Sequence, residues 1–129
     1  MKLLLDTHAI LWMVADDPRL TVTARRLITD TDDLAWSTAS MWEIGIKLSL
    51  HRPDFQLAHG WERRIPQEMA RNGIRHLDIE SSHCAAVAKL PWLHRDPFDR
   101  MLVAQALCEN RKLLGFDPAM DGYGVDRLW

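Results

Sequence analysis

The chain has 129 residues, of which 47% are hydrophobic and 26% are charged, and its formal net charge is −2. This length fits one domain, and no Gly/Ser-rich or repeated segment marks a linker, so we expect a single domain over residues 1–129. The charge balance excludes binding to nucleic acid mainly through bulk positive charge, but it is compatible with a local basic patch. The sequence shows neither an apolar run of ~18 residues nor a secretory apolar core, which predicts a cytoplasmic protein without a membrane partner.

The first half of the chain alternates short apolar runs with helical segments. Leu3–Leu5 is uniformly apolar, which is typical of a strand buried on both faces. A helix that is apolar nearly all round is predicted over residues 7–15, and a second helix over 21–31. A short strand over 34–37 and a helix over 40–50 follow.

The second half continues the same alternation. The pattern predicts, in order, a helix over 61–72, a strand over 74–79, helices over 81–90 and 97–110, and strands over 112–116 and 125–129. The helix from Pro97 is the clearest, because Asp96 precedes it as an N-cap and proline occupies its first turn. Strands that alternate with helices predict an α/β fold with a parallel sheet covered on both faces.

Two features concern surfaces and thiols. The first helix carries Trp12 and has no polar face, so we expect it to form an interaction surface for a second copy or a partner protein; a wholly internal helix is the alternative. Cys84 and Cys108 lie inside apolar helical patterns without C-x-x-C spacing. Buried, reduced thiols are therefore favoured over a disulfide, in keeping with a cytoplasmic protein.

Four acidic residues lie where ligands bind in open parallel sheets, beyond the carboxyl ends of the strands. Asp6 and Asp117 directly follow predicted strands. Glu43 lies early in the helix that follows the strand over 34–37, and Asp99 lies in the first turn of the helix from Pro97. If the strands are parallel and adjacent, all four carboxylates converge on one rim. Asp99 also shares a helical stripe with buried leucines, where a carboxylate is costly unless a cation compensates it.

Each acid also has a purely structural interpretation. Asp6 could cap the first helix, and Ser40 with Glu43 fits a capping box. Glu43 with Lys47 fits a surface i,i+4 ion pair, and Asp117 before a proline could begin a turn. What favours a site is their convergence, because carboxylates forced together need a cation, and Mg²⁺ or Mn²⁺ suits such ligands. Such a pocket activates water and stabilises the charge of a phosphodiester transition state.

The residues of these elements resemble the successive blocks of the PIN domain, and most closely the VapC-type toxins of bacterial and archaeal toxin–antitoxin pairs. The matching blocks are Leu3–His8, Ser37–Ile44, His94–Ala106, Asp117 and Tyr123–Val125. The block from His94 to Ala106, with Glu43 upstream, is the most specific. The resemblance covers essentially the whole chain.

The resemblance implies a PIN-like α/β/α sandwich with a mainly parallel sheet of four to five strands. It also implies an Mg²⁺-dependent endoribonuclease, with Mn²⁺ as a substitute, whose partners are RNA and a cognate antitoxin encoded beside it. The family's catalytic and metal-binding positions fall on Asp6, Glu43, Asp99 and Asp117. Asp99 takes the third place, because Ala104 and Ala106 follow it at the family's spacing, which leaves Asp96 as an N-cap and auxiliary acid. Arg95 and Arg100 flank the rim and are candidates for phosphate contacts.

One departure keeps a second hypothesis open. Members of the family commonly carry Thr or Ser two residues before the fourth acid, where this chain has Gly115. The missing hydroxyl weakens the case for a second metal and supports the alternative of a catalytically weak PIN scaffold that binds RNA or protein. A receiver-type phosphoacceptor domain is a further rival, but Asp6 is followed by Thr7 and His8 instead of a second acid. The partner of the first helix is either an antitoxin or a second copy in a homodimer.

Overall fold

A computed structural model describes all 129 residues, Met1–Trp129. Its centre is one five-stranded sheet in which every neighbouring pair of strands is parallel. The strands are β1 (Lys2–Leu5), β2 (Asp33–Ser37), β3 (Arg75–Leu77), β4 (Lys112–Leu114) and β5 (Arg127–Leu128), in the spatial order β3-β2-β1-β4-β5. The predicted α/β architecture with a parallel sheet is confirmed.

Six helices connect the strands. They are α1 (Thr7–Val14), α2 (Val22–Asp30), α3 (Thr38–Ser49), α4 (Trp61–Arg71), α5 (Ser81–Lys89) and α6 (Pro97–Cys108), followed by a 3₁₀ turn at Pro118–Met120. Asp96 caps α6 by accepting hydrogen bonds from the backbone N–H groups of Phe98 and Asp99, as the sequence predicted. None of these helices is long and apolar enough to cross a membrane.

The central strand β1 explains why its sequence is apolar without alternation. Leu3 and Leu5 pack into a core on one face of the sheet, together with α1 and α4, whereas Leu4 packs into a second core against α6. All three leucines are fully buried. The part of a strand that helices cover on both faces is uniformly apolar, and in β1 only Lys2 at the exposed start is polar. The sheet is thus fixed from both sides, and its carboxyl edge is held rigidly.

Two sequence predictions about exposure are wrong. Trp12 is only 8% exposed, because Phe116 and Trp129 from the far end of the chain pack against it. The first helix is therefore largely internal and does not offer Trp12 to a partner. Cys84 and Cys108 are free, as expected, but both are exposed, because their side chains lie on the outer faces of α5 and α6.

The strands at the two edges of the sheet are shorter than predicted. β3 covers three residues of the six expected over 74–79, and β5 covers two of the five expected over 125–129. Ile74 precedes β3 and is buried in the core, so its apolar character reflects packing rather than pairing. An edge strand has hydrogen bonds on one side only, and it ends where its single neighbour ends.

Candidate active site

Asp6 lies at the carboxyl end of the central strand and is almost completely buried. It caps α1, with Oδ1 accepting from the N–H of Ala9 at 2.7 Å, and Oδ2 accepts from the N–H of Phe116 at 3.1 Å. Burial raises its pKa to about 7, while these two hydrogen bonds oppose the rise and the charges of Asp99 and Glu43 add to it. The capping interpretation is therefore correct, but the carboxyl also stands among other acids.

Glu43 lies in α3, which follows β2, and it is buried as well. Thr7 donates to Oε1 at 2.6 Å, and the ammonium group of Lys47 lies 2.9 Å from Oε2. The capping-box interpretation is wrong, because α3 begins at Thr38 with Ser37 as its cap. The i,i+4 pair with Lys47 does form, but its carboxylate points into the interior instead of solvent.

Asp99 lies in the first turn of α6 and is partly buried. Nε2 of His94 lies 2.8 Å from its Oδ2, with the imidazole donating to the carboxylate. Burial raises the pKa of Asp99 to about 6; the hydrogen bond from His94 opposes the rise, and the charges of Asp96 and Glu43 add to it. Asp96 thus acts on the site through its negative field while it caps the helix.

Asp117 follows β4 and caps the 3₁₀ turn by accepting from the N–H of Ala119 at 2.9 Å. One ligand atom each from His94, Asp99 and Asp117 lies within 4.8 Å of the other two. The structure therefore places His94 in the cluster, although the sequence analysis did not assign it to the site. Its only signal in the sequence was its position five residues before Asp99.

The two arginines proposed to contact phosphate differ in their surroundings. Arg95 is exposed in the segment before α6. Arg100 is buried and donates to the carbonyl of Pro91 at 2.8 Å, with its guanidinium 4.2 Å from the ring centre of Trp92. The prediction for Arg100 is wrong, because its donors are used to satisfy carbonyl groups between α5 and α6.

Gly115 lies tightly against the site. A Cβ at this position would stand 2.6 Å from Cε of Met120 and 3.3 Å from Oδ2 of Asp6. Met120 is fully buried and fills the space that a side chain at position 115 would take. Gly115, which departs from the family pattern, is thus matched by Met120, whose side chain fills the space beside it.

A hydrogen bond ties together the two helices that carry Glu43 and Asp99. Ser37, which ends β2 and caps α3, donates to Oε1 of Gln105 in α6 at 2.5 Å. Both residues are fully buried. Gln105 in turn donates to the carbonyl of Asp78 at 3.2 Å, so its side chain has partners on both sides.

The donor set fits a divalent cation. Four carboxylates, from Asp6, Glu43, Asp99 and Asp117, lie at one edge of the sheet, and the pKa values of Asp6 and Asp99 are raised chiefly because burial disfavours the charged form. Lys47 and His94 contact these carboxylates directly, and the positive charge of Arg127 acts on Asp117 and Asp6 from nearby. Oxygen ligands of this kind suit Mg²⁺ and Mn²⁺, and the added imidazole is a ligand that Mn²⁺ accepts.

Comparison with known proteins identifies the family that the chain matches. The family model described as PIN domain matches residues 3–125. The chain also resembles DNA-bound VapBC complexes from Rickettsia felis (13% identity, TM-score 0.67, covering 99% of this chain and 98% of that one) and Salmonella typhimurium (13%, 0.69, 99% and 97%). VapBC-1 of nontypeable Haemophilus influenzae is similar at 18% identity, with a TM-score of 0.66 and coverage of 99% and 97%. No curated protein sequence matches the chain significantly.

The parallel α/β/α sandwich and the acidic cluster at the carboxyl edge of its sheet agree with this family model. This chain belongs to the PIN domain family. The resemblance drawn from the sequence blocks is confirmed for the family, and its VapC-like character is confirmed at the level of the fold.

Proposed function

We propose that this protein is a metal-dependent endoribonuclease and the toxin of a toxin–antitoxin pair, acting in the cytoplasm. The observation that carries the proposal is the convergence of Asp6, Glu43, Asp99 and Asp117 at the carboxyl edge of a PIN-type sheet. That the structural neighbours are toxin–antitoxin complexes supports the second half of the proposal.

Asp6 and Asp99 are the residues that would hold Mg²⁺ or Mn²⁺, with Asp117 and Glu43 completing the set. Bound there, the cation supplies a Lewis acid that makes water more acidic and neutralises charge on a phosphodiester. The backbone N–H groups of Ala9 and Phe116 fix both oxygens of Asp6, so this carboxylate cannot rotate away. Asp96 strengthens the negative field around Asp99.

Glu43 is the residue best placed to orient the attacking water. Thr7 and Lys47 contact its two oxygens and fix the plane of the carboxylate, and each oxygen keeps a lone pair that can accept a proton from water. Arg95 is free to contact a backbone phosphate of the substrate.

The direct test is cleavage of a labelled single-stranded RNA as the Mg²⁺ concentration is raised from zero in the presence of a chelator. We expect activity that saturates with Mg²⁺, persists with Mn²⁺ and disappears in excess chelator. Activity that is unaffected by complete metal removal would contradict the metal-dependent mechanism. Metal-dependent cleavage of DNA without cleavage of RNA would contradict the substrate.

A catalytically weak scaffold is the second candidate, and Gly115 favours it. No hydroxyl can be placed at this position while Met120 occupies the space beside it. Binding of the same RNA with an ordinary affinity, but without cleavage in Mg²⁺ or Mn²⁺, would support this candidate over the nuclease.

This chain has a groove between α1 and α4 that suits the antitoxin. This α1–α4 groove is lined by eight residues, seven of them hydrophobic, among them Leu11, Val14, Leu57 and Trp61. A narrow apolar groove beside a helix suits an apolar segment of a partner chain. We further propose that the antitoxin brings a basic residue to Asp6 and Asp99, because an arginine pairs well with carboxylates.

A homodimer would use a different face. Trp42, Ile46 and Leu50 follow one another at four-residue spacing along α3, and each is at least 44% exposed. An apolar stripe of this kind on a surface helix favours association with a second helix. We assign this stripe to a second copy of the chain, and equilibrium sedimentation of Trp42→Glu tests the assignment.

A further inference from the structure

A cleft of about 580 Å³ opens directly beside the acidic cluster. Its walls are α1, the segment 54–57 that follows α3, and the aromatic residues Phe116 and Trp129. We call it the Phe116 cleft. Its size lies in the range of small-molecule sites, ~300–1,000 Å³.

The Phe116 cleft has an aromatic wall with a solvent-accessible ring. Phe116 is 43% exposed, although its ring is fixed by edge contacts to Trp12 at 5.2 Å and to Trp129 at 6.0 Å between ring centres. His8 lies 5.2 Å from the same ring. An exposed phenyl ring held in place by its neighbours offers a platform on which a flat ligand ring can stack.

The same cleft carries hydrogen-bonding groups and cations. Lys47 lines it, with the ammonium group 5.8 Å from the ring centre of Phe55, which also lines the cleft. Arg19 and Gln56 are also among the lining residues. Because an ammonium group has three donors, Lys47 can keep its bond to Glu43 and still contact a phosphate oxygen.

Two lining residues contact the acids directly. The backbone N–H of Phe116 donates to Oδ2 of Asp6, and Lys47 pairs with Oε2 of Glu43. One molecule can therefore occupy the cleft and also place a covalently linked group at the acidic cluster. One nucleotide beside the bond that is cut meets this requirement.

We propose that the Phe116 cleft holds one unpaired nucleotide of the RNA strand, with its base stacked on Phe116 and its phosphate contacted by Lys47. This inference rests on the proposed ribonuclease function. Stacking on an aromatic side chain requires an open base face, which a base within a duplex does not have. The substrate is thus a loop or a single strand.

The chemistry of the cleft favours a nucleotide over a protein segment. Only seven of its thirteen lining residues are hydrophobic, and the rest include charged and amide groups that can pair with base edges. The neighbouring α1–α4 groove is the apolar one, so the two surfaces differ in the kind of ligand they suit.

The test compares Phe116→Ala with Phe116→Trp, both of which keep the backbone N–H that holds Asp6. The probe is a short fluorescein-labelled single-stranded RNA of mixed sequence, with the blunt duplex of the same sequence as a second probe. We expect Phe116→Ala to raise KM for the single strand about tenfold, with most of the effect in KM rather than kcat. Phe116→Trp should restore a KM close to the wild type, and the duplex should be cut poorly by all three proteins.

The matched control is Trp92→Ala, because Trp92 is 79% exposed but lies outside the cleft. Its KM should equal that of the wild type, and an equal loss there would overturn the proposal. If the wild type cleaves RNA but Phe116→Ala has an unchanged KM, the subsite is contradicted and the ribonuclease function is not. If the wild type cleaves no RNA in any metal, the proposed function itself is contradicted. An unchanged RNA KM combined with weaker antitoxin binding in Phe116→Ala would assign the cleft to the antitoxin instead.

Discussion

The ammonium group of Lys47 lies 2.9 Å from Oε2 of Glu43, so a buried carboxylate of the candidate site is already paired with a cation of its own chain. The lysine is 37% exposed, so solvent weakens the pair. The pair lowers the net negative charge of the site, and it therefore lowers the affinity of the site for a divalent cation.

Replacing Lys47 with methionine should raise the affinity for Mn²⁺ while lowering the stability of the metal-free protein. Methionine keeps the apolar stem but leaves Glu43 without its cation, at a cost of roughly 1 kcal/mol after allowance for the exposed lysine. Calorimetric titration with Mn²⁺ and urea unfolding in a chelator measure the two effects. Lys112→Met is the control, because Lys112 pairs with exposed Asp126 away from the site. A weaker Mn²⁺ affinity in Lys47→Met would contradict the prediction.

Asp99→Asn should abolish RNA cleavage while the fold stays intact, because it removes one charge of the cluster with little change of shape. The asparagine can still accept the hydrogen bond from His94 through its amide oxygen. Asp96→Asn is the control, since asparagine caps a helix about as well as aspartate and stability should change little. If Asp96→Asn is inactive and Asp99→Asn is active, the two roles are reversed. The assay is initial cleavage rate at saturating Mg²⁺, with circular dichroism to confirm folding.

The stability of the metal-free protein should fall as the pH rises from about 4 to about 7. Asp6 and Asp99 have a pKa of about 7 and about 6 in the fold, against the ordinary value of 3.8. Within this window the folded chain binds more protons than the unfolded chain, so the free energy of unfolding decreases with pH and levels off above the folded pKa.

His8 acts in the opposite direction over part of that window, because burial lowers its pKa. The informative quantity is therefore the difference between the wild type and Asp99→Asn, measured by urea unfolding in a chelator at several pH values. The variant should be the more stable of the two above pH 6 and equal to the wild type near pH 4. Equal pH profiles for both proteins would show that the carboxyl of Asp99 is not perturbed.

Gly115→Ser and Met120→Ala should be coupled. The serine Cβ meets the methyl group of Met120, which costs roughly 1–3 kcal/mol from overpacking, and Met120→Ala alone leaves a buried cavity that costs roughly 2–5 kcal/mol. The double variant should lose less stability than the sum of the two, because the serine occupies part of the cavity. Urea unfolding of the four proteins gives the coupling energy, and strict additivity would mean that the two side chains do not compete for space.

Ala58→Glu should weaken binding of the antitoxin without changing cleavage by the free protein. Ala58 is exposed and lines the α1–α4 groove, so a charge there faces an apolar segment of the partner while the core is untouched. The neighbouring His59→Glu is the control, because His59 is exposed but does not line the groove. Binding is measured by titration calorimetry with the purified antitoxin. Equal losses in both variants would indicate a general charge effect instead of a groove contact.

The parts of the structure that follow from short-range patterns could be predicted from the sequence. Leu3–Leu5 is apolar without alternation because both of its faces are covered, and Asp96 with Pro97 marks the start of α6 through local capping. The carboxyl-edge rule then brought Asp6 and Asp117 to one end of the sheet, because Asp6 directly follows β1 and Asp117 lies three residues beyond β4.

The errors concern contacts between distant parts of the chain. The burial of Trp12 depends on Phe116 and Trp129, more than a hundred residues away, and no pattern within the first helix reveals them. Arg100 is buried because the turn between α5 and α6 presents carbonyl groups that need a donor. His94 enters the cluster through a loop whose path no periodicity describes.

The hydrogen bond between Ser37 and Gln105 links the N-terminus of α3 to α6. This bond therefore opposes any separation of α3 and α6 that the repulsion between Glu43 and Asp99 would favour. Loading the site should then leave the hydrodynamic radius and the backbone chemical shifts of both helices nearly constant. The response should appear instead in charge-sensitive observables, such as electrophoretic mobility and the carboxyl carbon resonances of the aspartates.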